Sequence, residues 1–193
     1  MILPPATLGM LGGGQLGRYF VMSAHRLGYK VIVLDPDPIS IAGAAADEQI
    51  VAAYDDADAL RDLASRCDAI TCEFENVPAA SLALLEQYQP VRPAASAVRV
   101  CQDRREEKAF LTRAGVPVAP NLTLLPGEPL PALPSDLFPA ILKTAREGYD
   151  GKGQWTIHNA GELPAALAAS GVPCVLEKRL PLEGEFALTL ARS

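Results

Sequence analysis

The chain has 193 residues, 49% of them hydrophobic, and a formal net charge of −6. Its length allows one large or two small globular domains, and its acidic balance argues against a nucleic-acid binder, whose phosphate partner is neutralised by Lys and Arg. No stretch reaches the ~18 apolar residues of a membrane helix, the start MILPPATLGML lacks the basic region of a signal peptide, and four cysteines without a C-x-x-C pair point to reduced thiols in a cytoplasmic protein, with no metal site or disulfide framework.

In chain order, residues 6–11 (ATLGML) predict a short apolar strand. Gly12-x-Gly14-x-x-Gly17 follows and opens a helix over Gln15–Leu27, with Leu16, Phe20, Ala24 and Leu27 at helical spacing and Gly28 as its stop. Lys30–Asp35 (KVIVLD) is a buried, β-branched strand ended by Pro36. A strand–helix–strand unit of this kind is right-handed, with parallel strands. A helix is expected over Asp56–Arg66, a third strand over Asp68–Phe74, and a helix over Pro78–Tyr88 with its proline in the first turn. The alternation predicts an α/β fold with a parallel sheet over about residues 1–98. From Val98 to Ala114 a single charged helix leads away, closed by Gly115 and Pro117. Residues 126–139 hold five prolines and read as a loop. PAILKTA (139–145) and PCVLEKRL (173–180) then read as strands, with a glycine loop and a short helix (Glu162–Ser170) between them. EFALTLARS (185–193) reads as a further strand.

Two glycine motifs carry chemistry. The first, Gly12–Gly17, follows a strand and opens a helix, and Asp35 ends the next strand. Glycines there permit close backbone approach, and a helix N-terminus offers unpaired N–H groups to an anion. The pattern leaves three readings open: a dinucleotide, as in an NAD-dependent oxidoreductase, another phosphorylated ligand, or close packing of helix on strand. The second is sharper. Lys143 ends an apolar strand, where it costs desolvation unless it meets an anion. Five residues on, Gly148-Tyr149-Asp150-Gly151-Lys152-Gly153-Gln154 gives a pliable backbone whose N–H groups can fold over phosphates, with Lys152 adding charge. A plain hairpin turn is the competing reading, but a hairpin has no use for the two lysines. The loop is neither a Walker loop nor the glycine loop of protein kinases.

GGGQLGR (12–18), EFENVP (73–78), QDRREEK (102–108), LKTAREGYDGKGQ (142–154) and the pair Glu177 and Glu185 occur in one order and spacing. Together they resemble the 5-(carboxyamino)imidazole ribonucleotide synthetase family of the ATP-grasp superfamily. The resemblance implies a Rossmann-like, parallel-sheet pre-ATP-grasp domain over 1–98, followed over 99–193 by an incomplete ATP-grasp domain: an α+β lid at about 117–184 and the start of a second lobe. It implies ATP, Mg2+, bicarbonate and 5-aminoimidazole ribonucleotide as reactants and cofactors, carboxyphosphate as intermediate, and a homodimer. By position, Arg104 faces the phosphates, Lys143 meets the α- and β-phosphates, and Gly148, Tyr149, Asp150, Gly151, Lys152, Gly153 and Gln154 cover them. Glu177, Lys178, Arg179 and Leu180 form the adenine hinge, and Glu185 accepts from the ribose hydroxyls. Gln15, Leu16, Glu73 and Asn76 face the imidazole ribonucleotide, with Tyr149 and Asp150 also in reach. The magnesium ligands are expected beyond residue 193, and the 193-residue piece alone is expected to be inactive. The alternatives are a sister ATP-grasp ligase (glycinamide ribonucleotide transformylase or biotin carboxylase-like), the NAD-dependent oxidoreductase above, and a non-catalytic nucleotide-binding module.

Overall fold

A computed structural model of the chain describes residues 1–148 and 151–188. It divides into two units, Met1–Asp103 and Arg104–Ser193.

The first unit is built on a parallel sheet of four strands: β1 (Thr7–Leu11), β2 (Lys30–Asp35), β3 (Glu48–Val51) and β4 (Ala69–Cys72), in the order β3-β2-β1-β4. β2 is buried beyond its first residue and β1 over Gly9–Leu11, which is why they read as apolar runs. Helix α1 (Gln15–Arg26) covers one face, where Met10, Val21, Ala24, Val31 and Val33 form one buried cluster. Helices α2 (Ala57–Arg66), α3 (Ala79–Leu85) and α4 (Ala95–Cys101) enclose the other, with Leu11, Leu34, Leu60, Leu63, Leu82 and Leu85 at its centre. Asp56 caps α2 through a side chain that accepts from the amides of Asp58 and Ala59. The strand at Glu48–Val51 escapes the sequence pattern because it is an edge strand of only four residues, EQIV, half of them polar.

The expected helix over Val98–Ala114 is two helices. α4 ends at Cys101 and α5 runs over Arg104–Arg113. At the break, the Gln102 side-chain amide donates to the carbonyls of Glu75 and Val77, both at 2.6 Å, and Asp103 is buried at 1% exposure. An aspartate favours the position just ahead of a helix over its interior.

The second unit is built on an antiparallel sheet, β5 (Asn121–Leu124), β8 (Cys174–Lys178), β6 (Ala140–Thr144) and β7 (Gln154–Ile157), in the order β5-β8-β6-β7. Helix α6 (Leu163–Ser170) ends on Gly171 in the left-handed region, at φ 63°. Leu163 and Leu167 of α6 pack on Leu142, Ile157, Cys174 and Leu176 as the core of this unit. β6 and β8 match the expected strands; β5 and β7 are additions. Glu185–Leu188 is irregular and exposed, so the first part of the strand expected at 185–193 is absent, and the remainder lies outside the described residues.

Candidate functional site

The alternation along β6 and β8 sorts their residues onto two faces. Ala140, Leu142, Cys174 and Leu176 belong to the core beside α6. Ile141 and Lys143 lie on the opposite face with Glu177, which pairs directly with Ile141 in the register. There Lys143 Nζ sits 3.0 Å from Glu177 Oε2, and Lys108 Nζ, from α5, sits 3.1 Å from Oε1. Glu177 is only 8% exposed. A carboxylate so sheltered needs compensation, and two ammonium groups supply it.

An open cleft of about 920 Å3 lies on this face. Lys143 and Glu177 form its charged end; Pro139, Ile141, Leu180 and Leu182 give it apolar walls, and Lys178 and Arg179 continue the lining. Five of the expected nucleotide residues, Lys143, Glu177, Lys178, Arg179 and Leu180, are thus gathered on one surface. The hinge backbone is partly committed: the amide of Lys178 donates to the Pro120 carbonyl and that of Arg179 to the Pro139 carbonyl, each at 2.9 Å.

The glycine loop joins β6 to β7, so it is a hairpin connection as well as a candidate phosphate cover. The Thr144 amide donates to Gly153 O at 2.9 Å and closes its base. Arg104 grips that base: its guanidinium donates to Thr144 O at 2.8 Å and to Gly148 O at 2.7 Å. Its described partners are therefore the loop's carbonyls. Gly151 and Gly153 occupy the left-handed region, at φ 79° and 68°. A side chain at Gly153 would also press on Thr144, its Cβ 2.6 Å from Oγ1. Lys152 and Gln154 are exposed, and Gly148 is half-buried. Tyr149 and Asp150 lie outside the described residues. Glu185 is exposed and does not line the cleft.

In the first unit, the glycine turn is occupied from within. Glu73, at the end of β4, accepts from the amides of Gly14 at 2.6 Å and Leu16 at 3.1 Å, so a carboxylate distant in sequence caps α1. Side chains at Gly13 and Gly14 would collide with Ser40 and Glu73. Asp35 is buried and accepts from the amides of Gly13 and Asp37 and from the Tyr54 hydroxyl, at 2.6 to 2.8 Å. Burial and the hydrogen bond to Asp35 push the Tyr54 phenol well above its usual range. An NAD pyrophosphate at this turn would meet the Glu73 carboxylate, and its ribose would find Asp35 already engaged. Gln15, Leu16 and Asn76 are exposed at the C-terminal ends of the strands, the side where open α/β sheets bind ligands.

Lys108 is the site residue that the sequence reading did not single out. Its signal was present: it follows Arg104 by four residues on one helix, which places both side chains on the same face.

The model of the ribonucleotide synthetase preATP-grasp domain matches residues 5–102, and that of the ATP-grasp domain matches residues 109–193. The N5-carboxyaminoimidazole ribonucleotide synthase of Brucella melitensis is 42% identical over 193 residues, covering 98% of this chain and 53% of the relative. The chain belongs to the N5-carboxyaminoimidazole ribonucleotide synthetase family. Solved members of this synthetase family share its fold. The Staphylococcus aureus synthetase complexed with ADP superposes with a TM-score of 0.83 at 38% identity, over 93% of this chain and 48% of that one. The Aspergillus clavatus enzyme in complex with ADP and 5-aminoimidazole ribonucleotide superposes with a TM-score of 0.75 at 29% identity, over 90% of this chain and 46% of that one. The chain spans about half the length of the curated synthetases it matches.

Proposed function

We propose that this chain supplies the nucleotide-gripping part of an ATP- and bicarbonate-dependent ligase that carboxylates 5-aminoimidazole ribonucleotide to its 5-(carboxyamino) product in purine biosynthesis. The observation that carries this reading is the cleft of the second unit, where Lys143, on the strand that leads into the glycine loop, and the segment Glu177–Leu180 lie together. The apolar walls receive the flat face of adenine. With the amides of Lys178 and Arg179 committed to Pro120 and Pro139, the hinge offers the base its carbonyls and the amide of Leu180. Lys143 and the loop from Gly148 to Gln154, including Tyr149 and Asp150, take the phosphates, and Arg104 holds the loop's base. Glu185 takes the ribose. Gln15, Leu16, Glu73 and Asn76 face the ribonucleotide, with Glu73 also fixing the turn. Residues 1–98 are the pre-ATP-grasp domain, and 99–193 contain the lid at about 117–184 and the beginning of the second lobe.

Phosphoryl transfer from ATP to bicarbonate to form carboxyphosphate demands positioning and charge neutralisation above all. Mg2+ at the phosphates supplies part of that neutralisation when bound. Among the described residues no group of three or more His, Cys, Asp or Glu could hold a metal ion, and both oxygens of Glu177 are taken by lysines. Lys143 and Lys152, which this reading brings to the phosphates, are cationic side chains. Among the described residues no helix is long and apolar enough to cross a membrane; a cytoplasmic homodimer is the setting we propose.

The test measures ADP release by the full-length protein with bicarbonate, with and without 5-aminoimidazole ribonucleotide. Stimulation by the ribonucleotide is expected, and its absence sinks the reading. Lys143→Ala should lower ATP affinity by roughly tenfold or more, as loss of a charged partner does, while the circular dichroism spectrum stays unchanged.

A further inference from the structure

Glu177 is held by two lysines, yet the nucleotide reading uses only Lys143. The three side chains are sheltered alike, with 11% of Glu177, 15% of Lys108 and 23% of Lys143 exposed. One carboxylate balances one ammonium, so the trio keeps a surplus positive charge. Had Lys143 been the sole partner, the pair would be neutral. Drawing Lys143 toward a phosphate would then strand a buried carboxylate without compensation, among the costliest changes a protein interior can suffer. Lys108 removes that obstacle. It comes from a different element, α5, and it holds the other carboxylate oxygen, Oε1, at 3.1 Å. It can stay there while Lys143 turns away.

We propose that Lys108 is a positioning residue for the nucleotide: it keeps Glu177 compensated and fixed, so that Lys143 can pass its charge from Glu177 to a phosphate of ATP. Lys108 acts through Glu177 and need not touch the nucleotide. The proposal rests on the nucleotide reading of the cleft.

The experiment is calorimetric titration of the full-length protein with the non-hydrolysable ATP analogue AMP-PNP and Mg2+, well below the thermal midpoint of every variant. Lys108→Met should weaken binding by roughly tenfold or more, because Glu177 is then left uncompensated when Lys143 moves to a phosphate. Lys108→Arg, which keeps the charge, should stay close to the unmodified protein. In the Glu177→Gln background the same Lys108→Met change should have little further effect, because a neutral amide needs no cation. Unchanged affinity in Lys108→Met overturns the proposal. So does an equal loss in both backgrounds, since Lys108 would then act on the nucleotide directly. If Lys108→Met does not fold, Lys108→Gln, which keeps a donor but no charge, gives the same comparison. An unmodified protein that binds no AMP-PNP identifies failure of the nucleotide reading itself, as distinct from failure of the role of Lys108.

Discussion

At the scale of single residues, the two glycine motifs use glycine for different reasons. In the first turn the need is space: Gly13 and Gly14 lie against Ser40 and Glu73, so the turn can receive an internal carboxylate. In the second loop the need is conformation. Gly151 has no described residue crowding it but sits at φ 79°, whereas Gly153 combines φ 68° with close contact to Thr144. Gly153→Ala should therefore destabilise more than Gly151→Ala. The left-handed backbone alone costs about 1–2 kcal/mol for an L side chain, and the contact with Thr144 adds to it at residue 153. Urea denaturation of the two variants checks the order; equal midpoints would refute the role given to Thr144. Glycine spacing marked both motifs, but the sequence alone could not say which anion each would meet. That depended on Glu73, which reaches Gly14 across 59 positions of chain.

At the scale of elements, legibility followed burial pattern. β1, α1 and β2 were readable because a buried parallel strand is an apolar run and an amphipathic helix repeats at its own period. β6 and β8 were readable for a related reason: their alternation of core and cleft residues still leaves them largely apolar. β3, β5 and β7 have four residues each, and EQIV, NLTL and QWTI mix polar with apolar positions. Such segments gain strand identity from the neighbour they pair with, which local sequence does not contain. The break between α4 and α5 was invisible for the same reason. The charged run around it continues at helical spacing, and the reason to stop lies in the Glu75 and Val77 carbonyls that Gln102 reaches. That contact makes a prediction. Gln102→Ala removes this donor from one exposed and one part-buried carbonyl and should cost about 0.5–1.5 kcal/mol, the net worth of a typical hydrogen bond. Because Glu75 and Val77 flank Asn76, which the proposed function places at the ribonucleotide, that function predicts that the same change raises KM for 5-aminoimidazole ribonucleotide more than KM for ATP. Equal shifts in both would detach Gln102 from the Glu75–Val77 segment as a functional element.

At the scale of the whole molecule, each buried cluster belongs to one unit. Two clusters lie within Met1–Asp103, and the third draws only on residues of Arg104–Ser193. The candidate nucleotide cleft stands on this third cluster, because Leu142 and Leu176 face the core at positions adjacent to Lys143 and Glu177 on the same strands. Fold and site are coupled there through the two-residue period of a strand, and a slip of one residue would exchange core for cleft. Leu176→Ala tests this coupling. Leu176 is fully buried, and truncating such a leucine costs about 2–5 kcal/mol. Native-state hydrogen exchange should show the amides of β5, β6 and β8 losing protection while those of β1, β2 and β4 keep theirs. Nucleotide affinity should fall with them, although Leu176 does not line the cleft. If protection drops in both sheets together, the units unfold as one and the division of the core has no energetic meaning. If the second sheet loosens without loss of nucleotide binding, the cleft does not depend on the strands that carry Lys143 and Glu177.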